Sequence, residues 1–295
     1  MTMGTGTAQD VVRVDAPQKL STMLAKSLVA TALPGQRKPR QAKLPGTVLE
    51  RPHVVVDPAH LAAYNEVCGF RLGNELPATY PHILAFPLQI QLMTQPTFPF
   101  PLIGLVHLRN VITQRRPMRV DEDFSLRVWV ENLRPHDKGQ QFDFVSEAVV
   151  PGEDEPVWRD VSTYLRRSGK KSDGKKETQL APPAPKAIWR IPADIGRRYA
   201  AVSGDSNPIH LYPVTAKLLG FPKAIAHGMW TKAHSLAAFE GRLPEAFELD
   251  VRFKLPVLLP AKAAFTSWQL DDGFAFELWD ARKPKPYLQG RITAK

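Results

Sequence analysis

A short pattern occurs twice in this chain, and the repetition restricts its folds more than any other feature. Tyr64-Asn-Glu-Val-Cys68-Gly69 and Tyr199-Ala-Ala-Val-Ser203-Gly204 both read Tyr-x-x-Val-small-Gly. Two further matches follow in the same order with small drift. Leu84-Ala-Phe-Pro87-Leu88 lies opposite Ile225-Ala-His227-Gly228-Met229, and Val106-His-Leu-Arg109 lies opposite Val251-Arg-Phe-Lys254. Between the copies, Ser168 to Pro185 reads SGKKSDGKKETQLAPPAP, polar, charged and then proline-rich, with almost nothing to bury. Such a stretch is a linker. A duplicated domain is therefore expected, with a basic N-terminal segment over 1–50, a first domain over 51–167, the linker over 168–185 and a second domain over 186–295. A chain of 295 residues is long enough for two cores of moderate size.

Each copy follows one coarse plan. A short helix (Pro58 to Val67; Ala193 to Val202) is closed by a glycine where a helix end favours one. A loop leads to a more apolar helix, Pro87 to about Thr94 in the first copy and Gly228 to about Glu240 in the second. Met229, Trp230, Ala233, Leu236 and Ala237 keep helical spacing and read as core. Alternating strands come next: Phe124–Val130, Gln141–Glu147, Glu248–Phe253, Ala263–Trp268 and Phe274–Leu278, with a hairpin turn at Leu270-Asp-Asp-Gly273. Helices early and strands late make an α+β fold, a sheet with a helix on one face.

Composition narrows the function. With 28 prolines, short elements with hard stops are expected. A net charge of +10 raises nucleic acid, anionic membranes or phosphate-bearing small molecules as partners. The basic residues, however, gather in two segments, Arg37 to Lys43 and Arg166 to Lys176. Neither is interleaved with aromatics and no nucleic-acid-binding signature accompanies them, so nucleic acid is not expected. No run approaches the ~18 apolar residues of a membrane span. Gln18 to Leu33 suits a short amphipathic helix, and no secretory signal is read at the N-terminus. The single cysteine, Cys68, can form no internal disulfide and no cysteine metal site. The expected location is the cytoplasm.

Chemistry concentrates in Tyr199-Ala-Ala-Val-Ser-Gly-Asp205-Ser-Asn207-Pro208-Ile-His210. A carboxylate and an imidazole stand five residues apart across a turn stiffened by Pro208, so both can fold back toward one point. Converging on one water they would form a general acid/base pair; an Asx-turn beside a loop histidine would have the same spacing. A second patch is Gly220-Phe-Pro-Lys-Ala-Ile-Ala-His227-Gly228-Met229. Gly228 at a helix opening would offer a free main-chain N–H to developing negative charge, or it would merely permit close packing. A metal at Asp205, Asn207 and His210 is not expected, since no further suitable ligand lies nearby in sequence.

Together the two patches resemble the hydratase motif of the MaoC-like, (R)-specific enoyl-CoA hydratase family. The resemblance is carried by Ser203-Gly204-Asp205-x-Asn207-Pro208-Ile-His210, by Ala216, by Ile225-Ala-His227-Gly228-Met229, and by Val251-Arg-Phe253-Lys-Leu-Pro256-Val257. It covers Ala193 to about Pro260 well and the first half faintly. It implies a hot-dog fold, and with the repeat a double hot dog. It also implies hydration of trans-2-enoyl thioesters, or dehydration of (R)-3-hydroxyacyl thioesters, within fatty-acid metabolism. Asp205 and His210 would hold the water, Asp205 as base, and the Gly228 N–H would stabilise the oxyanion. Ser203, Gly204, Asn207 and Pro208 would shape the loop, and His227 would be structural. No metal or redox cofactor is implied; the substrate would be an acyl-CoA or acyl carrier protein thioester. Arg252 and Lys254, with Arg197 and Arg198, are candidates for its phosphates, though surface solvation is the preferred account of each. In the first half Phe70 stands at the place of Asp205, no histidine answers His210, and Pro87 stands opposite Gly228. One site per chain is therefore expected, with Phe98, Phe100, Leu102 and Ile103 either lining an acyl pocket or filling the core. A hot-dog thioesterase and a non-catalytic acyl-thioester-binding subunit are the alternatives, and a homodimer of double hot dogs is an open arrangement.

Overall fold

The computed structural model of the chain describes residues 10–15, 43–102, 104–168 and 181–295. The expected helix over 18–33, most of the first basic segment and 169–180 of the linker lie outside them. Among the described residues one sheet runs through the whole molecule. Its strands are β1 (Asp10–Arg13), β2 (Thr47–Val54), β3 (Leu105–Gln114), β4 (Phe124–His136), β5 (Gly139–Val149), β6 (Trp158–Arg167), β7 (Ala187–Ile191), β8 (Phe247–Phe253), β9 (Ala261–Leu270), β10 (Gly273–Asp280) and β11 (Pro286–Ala294). Their spatial order is β1-β2-β4-β5-β6-β3-β8-β11-β10-β9-β7. Outward from the β3–β8 seam, each half repeats the same sequence of neighbours: β3, β6, β5, β4, β2 on one side and β8, β11, β10, β9, β7 on the other. This is a double hot dog, α+β, with antiparallel pairing everywhere except between β1 and β2.

Alternation explains the strands that were anticipated. Phe124, Leu126, Val128 and Val130 of β4, and Phe247, Leu249 and Val251 of β8, are buried on one face. The hairpin at Leu270–Gly273 is present, with Gly273 paired to Leu270. Strands β1, β2, β3, β6, β7 and β11 were not anticipated. β3 and β11 carry Asn, Gln and Arg between their apolar residues, which blurs the period-2 signal.

The six helices of the described residues are α1 (Pro58–Cys68), α2 (Tyr80–Met93), α3 (Ile195–Ser203), α4 (Pro208–Leu211), α5 (Pro213–Leu218) and α6 (Gly228–Ala237). Asp57 caps α1 by accepting from the Ala59 N–H at 2.9 Å. Gly69 and Gly204 end α1 and α3 in the left-handed region, at φ 86° and 74°, so the Tyr-x-x-Val-small-Gly match is structural. The central helices α2 and α6 rest on the sheet. Gln89 donates to Ser146 of β5 at 3.0 Å, and the Lys232 ammonium donates to the Asn110 and Leu249 carbonyls of β3 and β8 at 3.0 and 3.1 Å.

The second and third repeat matches are out of register. Leu76 N–H donates to Met118 O as Ala226 N–H donates to Val257 O. That equivalence puts Ala78, not Pro87, at the place of Gly228. Pro87 instead lies inside α2, which begins at Tyr80. Proline usually marks a helix boundary because it lacks an N–H; here burial of nearly the whole helix overrides that preference. Correct register also shows what distinguishes the halves. The first half passes from Gly69 to Ala78 by a short loop, whereas the second inserts α4 and α5 between Gly204 and Gly228.

No described helix is long and apolar enough to cross a membrane.

Candidate active site

The inserted segment of the second half builds the site from short-range bonds. Asn207 caps α4 by accepting from the Ile209 N–H, and Pro208 occupies its first turn. Asp205 Oδ1 accepts from the Asn207 N–H at 3.2 Å, an Asx-turn, while Ser203 Oγ accepts from the Asp205 N–H at 3.2 Å. Ser203 and Asn207 thus bond the loop's own backbone. The Pro208 carbonyl accepts from Thr215 of α5 at 2.6 Å. These contacts leave Oδ2 of Asp205, a side chain 28% exposed, turned toward two imidazoles.

The first imidazole is His210. Its Nδ1 bonds the Ile225 carbonyl at 2.8 Å. A carbonyl only accepts, so Nδ1 carries the proton and Nε2 presents a lone pair. Burial pulls the His210 pKa below the ordinary histidine value, with the Asp205 charge acting in the opposite sense. The second is His227, which precedes α6. Its Nε2 donates to the Asp205 carbonyl at 2.9 Å and lies 3.8 Å from Asp205 Oδ2. The two rings stack with centroids 3.7 Å apart. One donor atom from each of Asp205, His210 and His227 lies within 4.8 Å of the others. A cation could span that spacing; Nδ1 of His210 and Nε2 of His227 are committed as donors to carbonyls, which leaves the other nitrogen of each ring and the Asp205 carboxylate as the open acceptors.

Gly228 opens α6, whose first intrahelical acceptance runs from Thr231 N–H to His227 O. The Gly228 N–H precedes that bond and is one of the helix's unsatisfied donors. The close-packing reading of Gly228 holds, because a Cβ there would meet the Phe253 ring at 3.1 Å.

Two contributions escaped the sequence. Gly196 of α3 allows the helix to lie directly on the site: a Cβ there would sit 2.0 Å from the His210 carbonyl oxygen. His107 and Tyr164, from the first half, border the site as well. A bulge between His107 and Arg109 in β3 brings His107 opposite Tyr164 of β6. The His107 ring stacks on Tyr164 at 4.5 Å and tilts against Phe253 at 4.9 Å, the ring that touches Gly228. Burial, with the nearby Asp205 and Asp160 charges, raises the Tyr164 hydroxyl pKa. Irregular pairing of this kind leaves no mark on hydrophobic periodicity.

The remaining predicted residues are not gathered here. Arg252 alternates with the inward Val251 and Phe253 and is exposed on the other face of β8; Lys254, also exposed, follows the strand. Arg197 lies over the Tyr212 ring and Arg198 reaches Glu66 at 3.4 Å. Phe98 and Phe100 pack with Phe142 and Phe144 in the core. Leu102 is partly buried against that core, and Ile103 lies outside the described residues.

Residues 167–283 match the MaoC like domain. The 3-hydroxyacyl-thioester dehydratase X of Mycobacterium tuberculosis is 44% identical over 261 residues, which is 86% of this chain and 91% of that protein. The chain belongs to the MaoC-like dehydratase family. Its members are lyases of the hydratase and dehydratase class, and this chain is such an enzyme. The crystal structure of the mycobacterial protein superposes with a TM-score of 0.75 at 40% identity, over 84% of this chain and all of that one. Two more distant structures share the fold. A MaoC-like dehydratase from Phytophthora capsici has a TM-score of 0.67 at 18% identity, over 84% of this chain and 94% of that one. A second M. tuberculosis protein, described as a double hot dog, has a TM-score of 0.54 at 12% identity, over 84% and 95%.

Proposed function

We propose that this MaoC-like dehydratase hydrates trans-2-enoyl thioesters to (R)-3-hydroxyacyl thioesters and catalyses the reverse dehydration, with one site per chain built on residues 186–295. The observation that carries the reading is convergence: a carboxylate oxygen of Asp205 and a ring nitrogen of His210 lie within 4.8 Å of each other beside His227, which directly precedes α6, and His210 Nε2 is the nitrogen left as an acceptor. Two acceptors there would take the two hydrogens of a water and leave its oxygen lone pair free to attack. In hydration the water oxygen bonds to the β-carbon as Asp205 accepts its proton. The double-bond electrons move onto the thioester carbonyl, where the Gly228 N–H meets the enolate oxygen. The α-carbon then takes the proton back, and every atom of water is accounted for. A well-placed oxyanion donor is worth about 3–4 kcal/mol of barrier. Dehydration reverses each step.

The first domain, over 51–167, has Phe70 at the place of Asp205 and no counterpart of the α4–α5 insertion. It would contribute the His107–Tyr164 wall rather than a second site. Neither metal nor redox cofactor takes part in this scheme, and the thioester is that of coenzyme A or of a carrier protein.

The test follows loss of enoyl absorbance with crotonyl-CoA and a longer trans-2-enoyl-CoA, alongside Asp205→Asn and His210→Gln. Each substitution is expected to lower kcat about 10²–10⁴-fold, and the product is expected to be the (R)-3-hydroxyacyl thioester. Wild-type turnover that survives both substitutions would overturn the assignment of the pair. Release of free acid from a saturated acyl thioester, without hydration, would make the protein a thioesterase instead.

A further inference from the structure

We propose that His227 is a positioning residue for the reaction, clamping His210 through its ring face and Asp205 through its backbone so that both side chains meet the same water. The inference rests on the hydratase–dehydratase reading above and assigns a role to a residue whose sequence position reads as structural.

Three observations on different atoms support it. The ring planes of His227 and His210 are inclined by 25° with centroids 3.7 Å apart, so His210 cannot swing about its Cβ without displacing its neighbour. The Nε2 proton of His227 is spent on the Asp205 carbonyl at 2.9 Å, which ties down the residue whose carboxylate must act. The His227 ring also meets Tyr199 of α3, tilted against it with centroids 4.9 Å apart. His227 thus touches both α3 and His210, and it directly precedes Gly228. One side chain couples the Asp205–His210 loop to the helix end that supplies the oxyanion donor.

A histidine that served packing alone would have its polar atoms satisfied or wet. Nδ1 of His227 is buried and has no hydrogen-bond partner, which is costly inside a protein and is retained where geometry demands it. The titratable groups facing this ring are Asp205 and His210 from the loop and Tyr199 from α3. Burial first, and then His210, push the His227 pKa down to about 3. A neutral His227 can lie face to face with His210 without repelling it, and it excludes water that would favour protonation of His210.

Two substitutions separate the two contacts. His227→Gln keeps a donor for the Asp205 carbonyl and removes the stack; His227→Phe keeps a ring and removes the donor. Each is expected to lower kcat about 10- to 100-fold with KM little changed, as loss of a partner that orients a reacting group does. The acid limb of kcat/KM should move to higher pH in the Gln variant, where water reaches His210, and stay in place in the Phe variant. Folded variants, by circular dichroism, with wild-type kcat and an unmoved limb would overturn the proposal. In the Gln variant, a fall in active fraction with an unchanged pH profile would do the same, marking the residue as merely structural.

A measurement on the unsubstituted chain covers the case where variants do not fold. Imidazole ¹⁵N resonances of the histidine-labelled protein should show His227 as the neutral Nε2–H tautomer and His210 as the neutral Nδ1–H tautomer at pH 6. A charged His227 at that pH, or the opposite tautomer, refutes the clamp. Absence of wild-type turnover on any enoyl thioester would instead refute the underlying reaction and leave the tautomer result standing.

Discussion

At the scale of single residues, the site depends on which nitrogen of each imidazole is occupied. His210 gives its Nδ1 proton to a carbonyl and so offers a lone pair, which is useful only while the ring is neutral. Burial lowers its pKa, hence the neutral form persists further into acid than for a free histidine. The acid limb of kcat/KM should therefore lie below the ordinary value of about 6.5, and activity should fall as pH drops through it. A limb well above that value would mean that another group titrates. Chelation is the matching chemical test. Dialysis against EDTA should leave the rate unchanged, because the proposed scheme holds the water by Asp205 and His210 without a metal. Loss of activity restored by a divalent ion would replace the water site with a metal site. That Asp205 and His210 come together was legible in the sequence, since they stand five residues apart across one turn. The His227 stack was not, because ring-on-ring contact across a loop depends on where the chain returns.

At the scale of elements, α3 and α6 hold the loop between them, and both make room with glycine. Gly196→Ala would bring a Cβ to 2.0 Å from the His210 carbonyl, a backbone atom that cannot step aside without moving the loop. The expected cost is about 1–3 kcal/mol or more, read as a lower Tm together with a fall in kcat. An unchanged Tm and kcat would show that α3 slides freely. At Gly228 the obstacle is a ring, Phe253, so Gly228→Ala should cost less stability, read as a smaller drop in Tm, and more kcat, by shifting the N–H proposed to meet the oxyanion. Glycines at helix ends stand out in a sequence, as Gly69 and Gly204 did. Gly196 lies within a helix, and nothing local distinguishes it from a weak helix former. The same limit displaced Pro87: proline is a reliable boundary in an exposed helix, and α2 is almost wholly buried.

At the scale of the molecule, the two halves meet along β3 and β8, and a buried polar cluster lies beneath that seam. Lys232 of α6 donates to the Asn110 side chain as well as to the carbonyls of Asn110 and Leu249. Asn110 bonds Asp160 at 2.8 Å, and Asp160 bonds His82 of α2 at 2.9 Å. Each central helix thus reaches this cluster with one basic side chain. Lys232→Met would take the ammonium donor from three buried acceptors and its charge from the neighbourhood of Asp160, a loss of about 3–5 kcal/mol by analogy with broken buried pairs. Chemical denaturation should show it, and a change below 1 kcal/mol would mean that the seam is held by apolar packing alone. Burial also lowers the Lys232 pKa to about 7. The unfolded chain then binds the extra proton between about pH 7 and the free-lysine value of about 10.4. Stability should accordingly rise with pH across that window in the wild type and lose that slope in the Met variant.

Sequence alone determined the duplication, the α+β class, the family and the motif of the second half, because each is written in residues close together along the chain. Helix periods, turn residues and the Asp-x-Asn-Pro-x-His loop act over a few residues, so their physics is local. Tertiary structure decided the register of the repeat, the bulge that turns His107 beside Tyr164, the stack of His227 on His210 and the polar cluster at the seam. Those depend on which strands become neighbours and which side chains lose their water together. Burial of that kind is set by pairing across the fold, and no stretch of sequence carries it by itself.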